Sequence, residues 1–177
     1  MGDVCDTNAE LRRCLRSIYD VCEECDRAGV SASFMGHEFS VRQLFEIEVT
    51  AYLMYLTAAD GVVNQEEIDF INDVMSRDYE LDACVAFATQ HRLTGAEFAS
   101  STPLSFRLLI EHAPEQGDGQ ASMSDVLISF YMSLSAALAT SDADVAPDEQ
   151  TAVKSYLHLL RGYQALVEGE GAEGQLP

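Results

Sequence analysis

Two stretches of the chain carry carboxylates at matching positions. In the first, TAADGVVNQEE, Asp60 follows a long apolar segment and precedes Glu66 and Glu67. A shift of 82 residues, the separation of Asp60 from Asp142, lays this stretch over ALATSDADVAPDEQ. The residues that then correspond to Asp60, Glu66 and Glu67 are Asp142, Asp148 and Glu149. The pattern predicts a repeat with one acidic loop in each copy.

Carboxylates in this arrangement could bind a divalent cation. Asp60 and Asp142 each close a predicted helix, at the negative end of its dipole, where a positive charge is favourable. Two such loops brought together would set several carboxylates against one another, and a divalent cation would relieve their repulsion. Oxygen ligands alone favour calcium, magnesium or manganese over zinc. The predicted ligands are Asp60, Glu67, Asp142 and Glu149, with Glu66, Asp144 and Asp148 next in order.

Ordinary helix chemistry offers an alternative interpretation of both stretches. The paired acidic residues fall in the first turn of a predicted helix, where the positive end of the dipole stabilises carboxylates. Val63, just before the cap, would act as an apolar staple. Asp60 could hydrogen-bond the turn backbone, as is common in Asp-Gly turns. The alternative is a structural or protein-interaction module whose acidic loops only cap helices.

The calcium-binding EF-hand is the nearest alternative motif. DGVVNQEE matches the second half of an EF-hand loop, but the first and third loop positions would fall on Leu56 and Ala58. In the second stretch they would fall on Leu138 and Thr140. Because none of these residues has a carboxylate, a functional EF-hand is not predicted.

Helix signals recur along the chain, and strand signals do not. A Ser, Thr or Asn followed three residues later by Glu or Gln predicts a capped helix start at Thr7, Ser40, Asn64 and Thr94. The predicted helices cover about 7–28, 41–59, 68–75, 80–91, 104–113, 122–141 and 148–167. This is the pattern of an all-α bundle of about seven helices, in a single domain over residues 1–167. The acidic, glycine-rich tail at 168–177 is predicted to be disordered.

Two helices carry patterns that predict packing. Apolar residues at helical spacing predict a core face on the helix at 41–59, made of Leu44, Ile47, Ala51, Met54 and Tyr55. Small residues at spacings of three and four predict close approach of a neighbour to the helix at 122–141, at Ser129, Ser133, Ala136 and Ala137.

The charge of the chain restricts its partners. It holds 30 acidic and 10 basic residues in 177, a formal net charge of −20. Such a charge repels nucleic-acid backbones and anionic membrane surfaces and favours cations or a basic partner protein, although solubility alone also selects acidic surfaces. No segment is long and apolar enough to insert into a membrane, and no signal-peptide pattern is visible at the start. A cytoplasmic location is therefore expected.

Cysteines and histidines give no catalytic pattern. Cys22 and Cys25 form CEEC inside a predicted helix, without the second pair that a zinc site needs, so buried structural thiols are favoured over a metal site. The role of this pair stays open. No nucleophile elbow, phosphate loop or dinucleotide fingerprint is present, and an enzyme is not predicted.

The two acidic stretches together resemble a known family. A long helix that ends in ADG, then a valine, a cap, two glutamates and an amphipathic helix, repeated once, is similar to the TerB-like domain of tellurite-resistance systems. The resemblance covers about residues 41–161 and leaves the helix at about 7–28 as an addition. It implies an all-helical fold of two pseudo-symmetric hairpins. It also implies acidic loops that bind divalent cations, and a non-catalytic role in bacterial stress responses with membrane-associated partner complexes.

The family's acidic motif maps onto both copies of the repeat. Its positions are Asp60, Glu66, Glu67, Asp142, Asp148 and Glu149. Ala143 stands where the family has glycine, and alanine is strained at a backbone position with positive φ. The second loop is therefore expected to differ in shape, with Asp144 as a substitute ligand. Neither the metal, the partner nor the oligomeric state is predicted more closely.

Overall fold

The computed structural model describes residues 3–34, 36–91, 101–114, 121–141 and 147–173. Helices dominate these residues, which confirms the all-α prediction at that level. Seven helices lie in the described chain: α1 Asp3–Arg27, α2 Val41–Thr57, α3 Gln65–Met75, α4 Leu81–His91, α5 Leu104–His112, α6 Met123–Leu138 and α7 Pro147–Glu173. Two short strands, β1 Ser31–Phe34 and β2 His37–Ser40, lie between α1 and α2.

The two strands form a hairpin that the sequence did not predict. They pair antiparallel, with Ser31 opposite Ser40 and Phe34 opposite His37. Gly36 adopts a φ of +80° in the connection, a conformation that glycine reaches without strain. Each strand has only four residues. Such a segment is too short to establish an alternating pattern, so the expectation of no strands was wrong here.

Helix α2 is the central element of the fold. It packs against α1, α3, α4, α5 and α7, and every residue from Tyr52 to Thr57 is buried. A helix with neighbours on several sides is apolar all round, and its sequence does not reveal a single core face. Leu44, Met54 and Tyr55 are buried as predicted, whereas Ile47 is 51% exposed and does not belong to the core.

Aromatic side chains join α2 to α6. The ring centroids of Phe45 and Phe130 lie 6.2 Å apart, and those of Tyr52 and Tyr131 lie 5.1 Å apart. The hydroxyls of Tyr52 and Ser135 are hydrogen-bonded at 2.5 Å. Tyr52 on α2 thus contacts two residues of α6 that lie one helical turn apart, Tyr131 and Ser135.

The small-residue face of α6 is largely exposed, although α1 and α7 both pack against this helix. Ser129, Ser133 and Ala136 are exposed and Ala137 is only half-buried, so the predicted tight helix packing was wrong. Large apolar residues of α6 enter the core instead, among them Leu127 and Leu134. Serines on a helix surface are readily hydrated, and their spacing alone does not imply a packing face.

Helix starts follow the capping signals at two of the three predicted places that lie within the described residues. Full capping boxes are present at Ser40 with Gln43 and at Asn64 with Glu67, as predicted. Thr7 does not start a helix, because α1 begins four residues earlier at Asp3. The predicted cap at Thr94 lies outside the described residues.

The last helix is longer than expected. Helix α7 continues to Glu173, so residues 168–173 are helical in a segment predicted to be disordered, and 174–177 lie outside the described residues. No helix in the described part of the chain combines the length and apolar character needed to cross a bilayer.

Candidate cation site at the two acidic loops

The first acidic loop is a tight turn between α2 and α3. Asp60 is exposed, and its Oδ1 accepts a hydrogen bond from the N–H of Val62 at 2.9 Å. Gly61 has a φ of +85°, and its N–H donates to the carbonyl of Ala58 at 3.1 Å. The Asp60 carboxylate therefore stabilises its own turn, as an Asp-Gly sequence permits.

Glu67 occupies the start of α3 and is buried. Only 2% of it is exposed, although it carries a carboxylate. Its Oε2 accepts from the N–H of Asn64 at 3.0 Å, and its own N–H donates to the side-chain oxygen of Asn64 at 2.9 Å. The neighbouring Glu66 is exposed on the first turn of the same helix. Helix capping thus accounts for the orientation of Glu67.

Of the second acidic stretch, the structure describes the residues up to 141 and those from 147 onward, where α7 begins. Asp142 and Asp144 lie outside the described residues, as does the departure from the family pattern at Ala143. Asp148 is exposed in the first turn of α7, whereas Glu149 is 8% exposed. As in the first loop, the second acidic residue of the helix is the buried one.

The 82-residue shift found in the sequence also relates the helix starts. Val41, the first residue of α2, falls on Met123, the first residue of α6 (41 + 82 = 123), and a serine caps each helix. Gln65, which begins α3, falls on Pro147, which begins α7 (65 + 82 = 147). Glu67 and Glu149 consequently occupy the third position of equivalent helices, and both are buried.

The described carboxylates do not gather into a metal centre by themselves. Within the described ranges, no group of three or more His, Cys, Asp and Glu residues is placed to hold a metal ion. Five of the seven predicted ligands belong to those ranges: Asp60, Glu66, Glu67, Asp148 and Glu149. A cation between the loops would therefore need Asp142 or Asp144 in addition.

Acidic side chains serve as caps elsewhere in the molecule. The Asp26 carboxylate on α1 accepts the N–H of Val41 at 2.6 Å, at the start of α2. Glu48 on α2 accepts the N–H groups of Leu104 and Ser105 at 2.7 and 2.9 Å, and the Ser105 hydroxyl as well. Burial raises the pKa of Glu48, against the opposing effect of these hydrogen bonds. A carboxyl group with a shifted pKa can indicate an active site. The Glu48 carboxylate, however, accepts hydrogen bonds from the first turn of α5.

The CEEC pair has the environment of structural thiols, as predicted. Cys22 and Cys25 are 0% and 1% exposed, and neither forms a disulfide. Burial raises the pKa of Cys22 to about 12, with smaller contributions from Cys25 and Asp26. Burial also raises the pKa of Cys25. Thiols that stay protonated are poor nucleophiles and poor metal ligands.

Basic residues carried no prediction, yet four arginines come together in the described structure. Arg12, Arg16, Arg42 and Arg77 line one cavity between α1, α2 and the end of α3. No local pattern in the sequence reveals this group of arginines, because its members are distributed over 66 positions of the chain (77 − 12 + 1 = 66).

Comparisons of the chain with protein-family models, with curated proteins and with solved structures gave no match.

Proposed function

We propose that the protein is a non-enzymatic, TerB-like acidic module that binds a divalent cation, or a partner protein, in a bacterial stress-response system. The observation that carries the proposal is the equivalence of two buried carboxylates. Glu67 and Glu149 take the same position after a shift of 82 residues, at the starts of α3 and α7, and both are almost inaccessible to solvent. Asp and Glu are among the residues least often buried unless they are paired or bind metal.

The residue that precedes the helix differs between the two copies. Asn64 supplies the side-chain oxygen that completes a reciprocal box with Glu67. The equivalent residue before α7 is Ala146, which has no such oxygen. The side-chain oxygen at this position is therefore a feature of the first copy and not of the second. A cation shared with Asp142 or Asp144 would supply a reason for keeping a glutamate at this position.

The charge of the protein supports a basic partner as the other ligand class. A net charge of −20 steers cations and basic surfaces toward the molecule and repels polyanions. The competing function is a structural or protein-interaction module whose acidic loops only cap helices, as Asp26 and Glu48 do at other helix starts.

Thermal unfolding of the chelator-stripped protein, titrated separately with calcium, magnesium, manganese and zinc chloride, tests the proposal. A cation that binds only the native state stabilises it by about 3 kcal/mol at a hundredfold excess over its dissociation constant, which raises the Tm by several degrees. Glu149→Gln preserves the shape of the side chain and should abolish this rise. Asp82→Asn removes one charge from the first turn of α4, far from either loop in sequence, and is the matched control.

The outcomes separate the two functions. A rise in the Tm with one cation only, which is lost in Glu149→Gln and kept in Asp82→Asn, supports the cation site. Equal small rises with all four cations, reproduced by sodium chloride at the same ionic strength, would reflect screening of an acidic surface and favour the capping module.

A further inference from the structure

Positive charge is concentrated at one place in this acidic protein. Lys154 is the only lysine among ten basic residues, which leaves nine arginines. Four of them line a single cavity of about 520 Å³, here called the arginine cavity: Arg12, Arg16, Arg42 and Arg77. Among the described residues, Glu46 is the only acidic side chain in its lining.

Three elements hold these arginines in place. Arg12 and Arg16 lie one turn apart on α1, and Arg42 lies in the first turn of α2. Arg77 follows the end of α3, where Ser76 adopts a φ of +53°, the one positive value of a non-glycine residue in the described chain. The N–H of Arg77 then donates to the carbonyl of Asn72 at 3.0 Å. A left-handed residue of this kind costs free energy and persists where the surrounding structure requires it.

The turn that carries Arg77 is fixed from its other side as well. The side-chain amide of Asn72 donates to the carbonyl of Tyr79 at 2.9 Å, and its oxygen accepts the N–H of Tyr79 at 2.7 Å. Hydrogen bonds to Asn72 therefore hold the backbone of the turn that contains Arg77.

Ion pairs neutralise only part of the charge. Arg12 pairs with Asp73, Arg42 with Glu23 and Arg77 with Glu46. The partners are between 26% and 53% exposed, and such pairs contribute little to stability. Asp73 and Glu23 do not line the cavity. An incoming anion would thus compete chiefly with Glu46.

Arg16 lacks a carboxylate partner in the part of the chain that the structure describes. Its Nε donates to the carbonyl of Arg12 at 3.2 Å, within the same helix. No ion pair of Arg16 lies among the described contacts. The Arg16 guanidinium therefore adds a charge that the surrounding protein does not balance by direct contact.

A buried donor of Arg42 points to the same conclusion independently. Its guanidinium carbon lies 3.8 Å from the centroid of the Tyr19 ring, and its Nε is buried without a hydrogen-bond partner among the described residues. A guanidinium stacked on a ring directs its N–H groups in its own plane, away from the ring. A buried donor without an acceptor is costly, so Arg42, which lines the arginine cavity, is not fully satisfied by the described protein groups.

The dipole of α3 explains the positions of some of these arginines but not of all. Cations are favourable near the C-terminus of a helix, and Arg12 also donates to the backbone carbonyl of Asp73 in the last turn of α3. Arg77 follows that helix directly. The free charge of Arg16 and the unpaired Nε of Arg42 are not explained in this way.

We propose that the arginine cavity binds a small multivalent anion that carries phosphoryl groups, held by Arg16, Arg42 and Arg77. Guanidinium groups match phosphate oxygens in bidentate geometry, and the volume lies in the range of small-molecule sites. The net charge of −20 opposes long polyanions such as nucleic acids. A small anion is affected much less, because salt screens charges beyond about 8 Å at physiological ionic strength. This site is independent of the proposed cation site.

Calorimetric titration with pyrophosphate, at constant ionic strength set with sodium chloride, tests the proposal. We expect saturable binding to the unmodified chain. Arg16→Gln and Arg77→Gln, each on an exposed residue, should weaken it by about tenfold or more through loss of a charge-assisted bond. Arg13→Gln is the matched control, because Arg13 is an exposed arginine of the same helix that does not line the cavity.

Several results would overturn the proposal. They are no saturable binding of pyrophosphate, equal affinities in Arg16→Gln, Arg77→Gln and the unmodified chain, or an equal loss in Arg13→Gln. Citrate binding as tightly as pyrophosphate would overturn the assignment to phosphoryl ligands. Binding to phosphatidylserine vesicles without binding to pyrophosphate would show a membrane surface in place of a small-molecule site.

Discussion

Asn64 and Glu67 bond to each other in both directions across the first turn of α3. The side-chain oxygen of Asn64 accepts the N–H of Glu67, and the Glu67 carboxylate accepts the N–H of Asn64, at 2.9 and 3.0 Å. This exchange satisfies two backbone donors that a helix start would otherwise leave unpaired. The first acidic loop is consequently a helix cap whether or not a cation is also bound.

Removal of the cap should weaken the fold in the absence of any cation. Asn64→Ala leaves the N–H of Glu67 without its acceptor, and we expect the free energy of unfolding to fall by about 1–2 kcal/mol. Asn64→Ser keeps a side-chain oxygen and should cost clearly less. Urea unfolding in the presence of a chelator measures both. Equal losses in the two variants would mean that the side-chain bond contributes nothing at this position.

Replacement by alanine should change the stability of the protein in opposite directions at two glycines. Gly61 has a φ of +85°, so Gly61→Ala forces alanine into a left-handed conformation and should destabilise the protein by about 1–2 kcal/mol. Gly162 lies within α7, and an added Cβ would meet no atom within 4 Å. Gly162→Ala should therefore stabilise the protein by about 0.5–1 kcal/mol. Urea unfolding of both variants checks the pair, and a stabilising Gly61→Ala would contradict the assigned backbone conformation.

Local signals in the sequence predicted the parts of the fold that local interactions determine. The caps at Ser40 and Asn64 each need only four consecutive residues, and both are present. The equivalence of the two acidic stretches was visible as a repeat, and the starts of α2, α3, α6 and α7 agree with the same shift. Cys22 and Cys25 are buried as predicted, because their helix faces the core there.

The remaining features depend on neighbours that are remote in sequence. Ile47 follows the helical spacing of the core residues, but it lies on a side of α2 that stays about half exposed. The arginine cavity arises only when α1, α2 and the end of α3 meet, so no window of the sequence contains it. For the cation site, the described residues include the first loop and the helical start after the second, and both the ligands and the metal stay predictions.

The buried thiols should resist modification in the folded protein. With a pKa of about 12, Cys22 is ionised to the extent of roughly one part in ten thousand at pH 8, and burial also hinders access of the reagent. We expect mass spectrometry after brief treatment with iodoacetamide to find Cys22 and Cys25 unmodified. Both should react fully once guanidinium chloride has unfolded the chain. Rapid labelling of Cys22 in the native state would favour a reactive role for the CEEC pair.

Glu48 should make the stability of the protein depend on pH in an unusual direction for a carboxyl. Burial raises its pKa in the folded state above the ordinary value of 4.5, so the folded protein binds this proton more tightly than the unfolded chain does. The resulting contribution to stability is complete below about pH 4.5 and is lost as the pH rises through the folded-state pKa. Glu48→Gln cannot titrate and lacks this dependence. Hence the stability of the unmodified chain, measured relative to Glu48→Gln by urea unfolding, should decrease from pH 4.5 toward neutrality. In this difference the titration of the other carboxyls cancels. A difference that stays constant with pH would show that the hydrogen bonds from Leu104 and Ser105 balance burial, and one that increases with pH would show that they outweigh it.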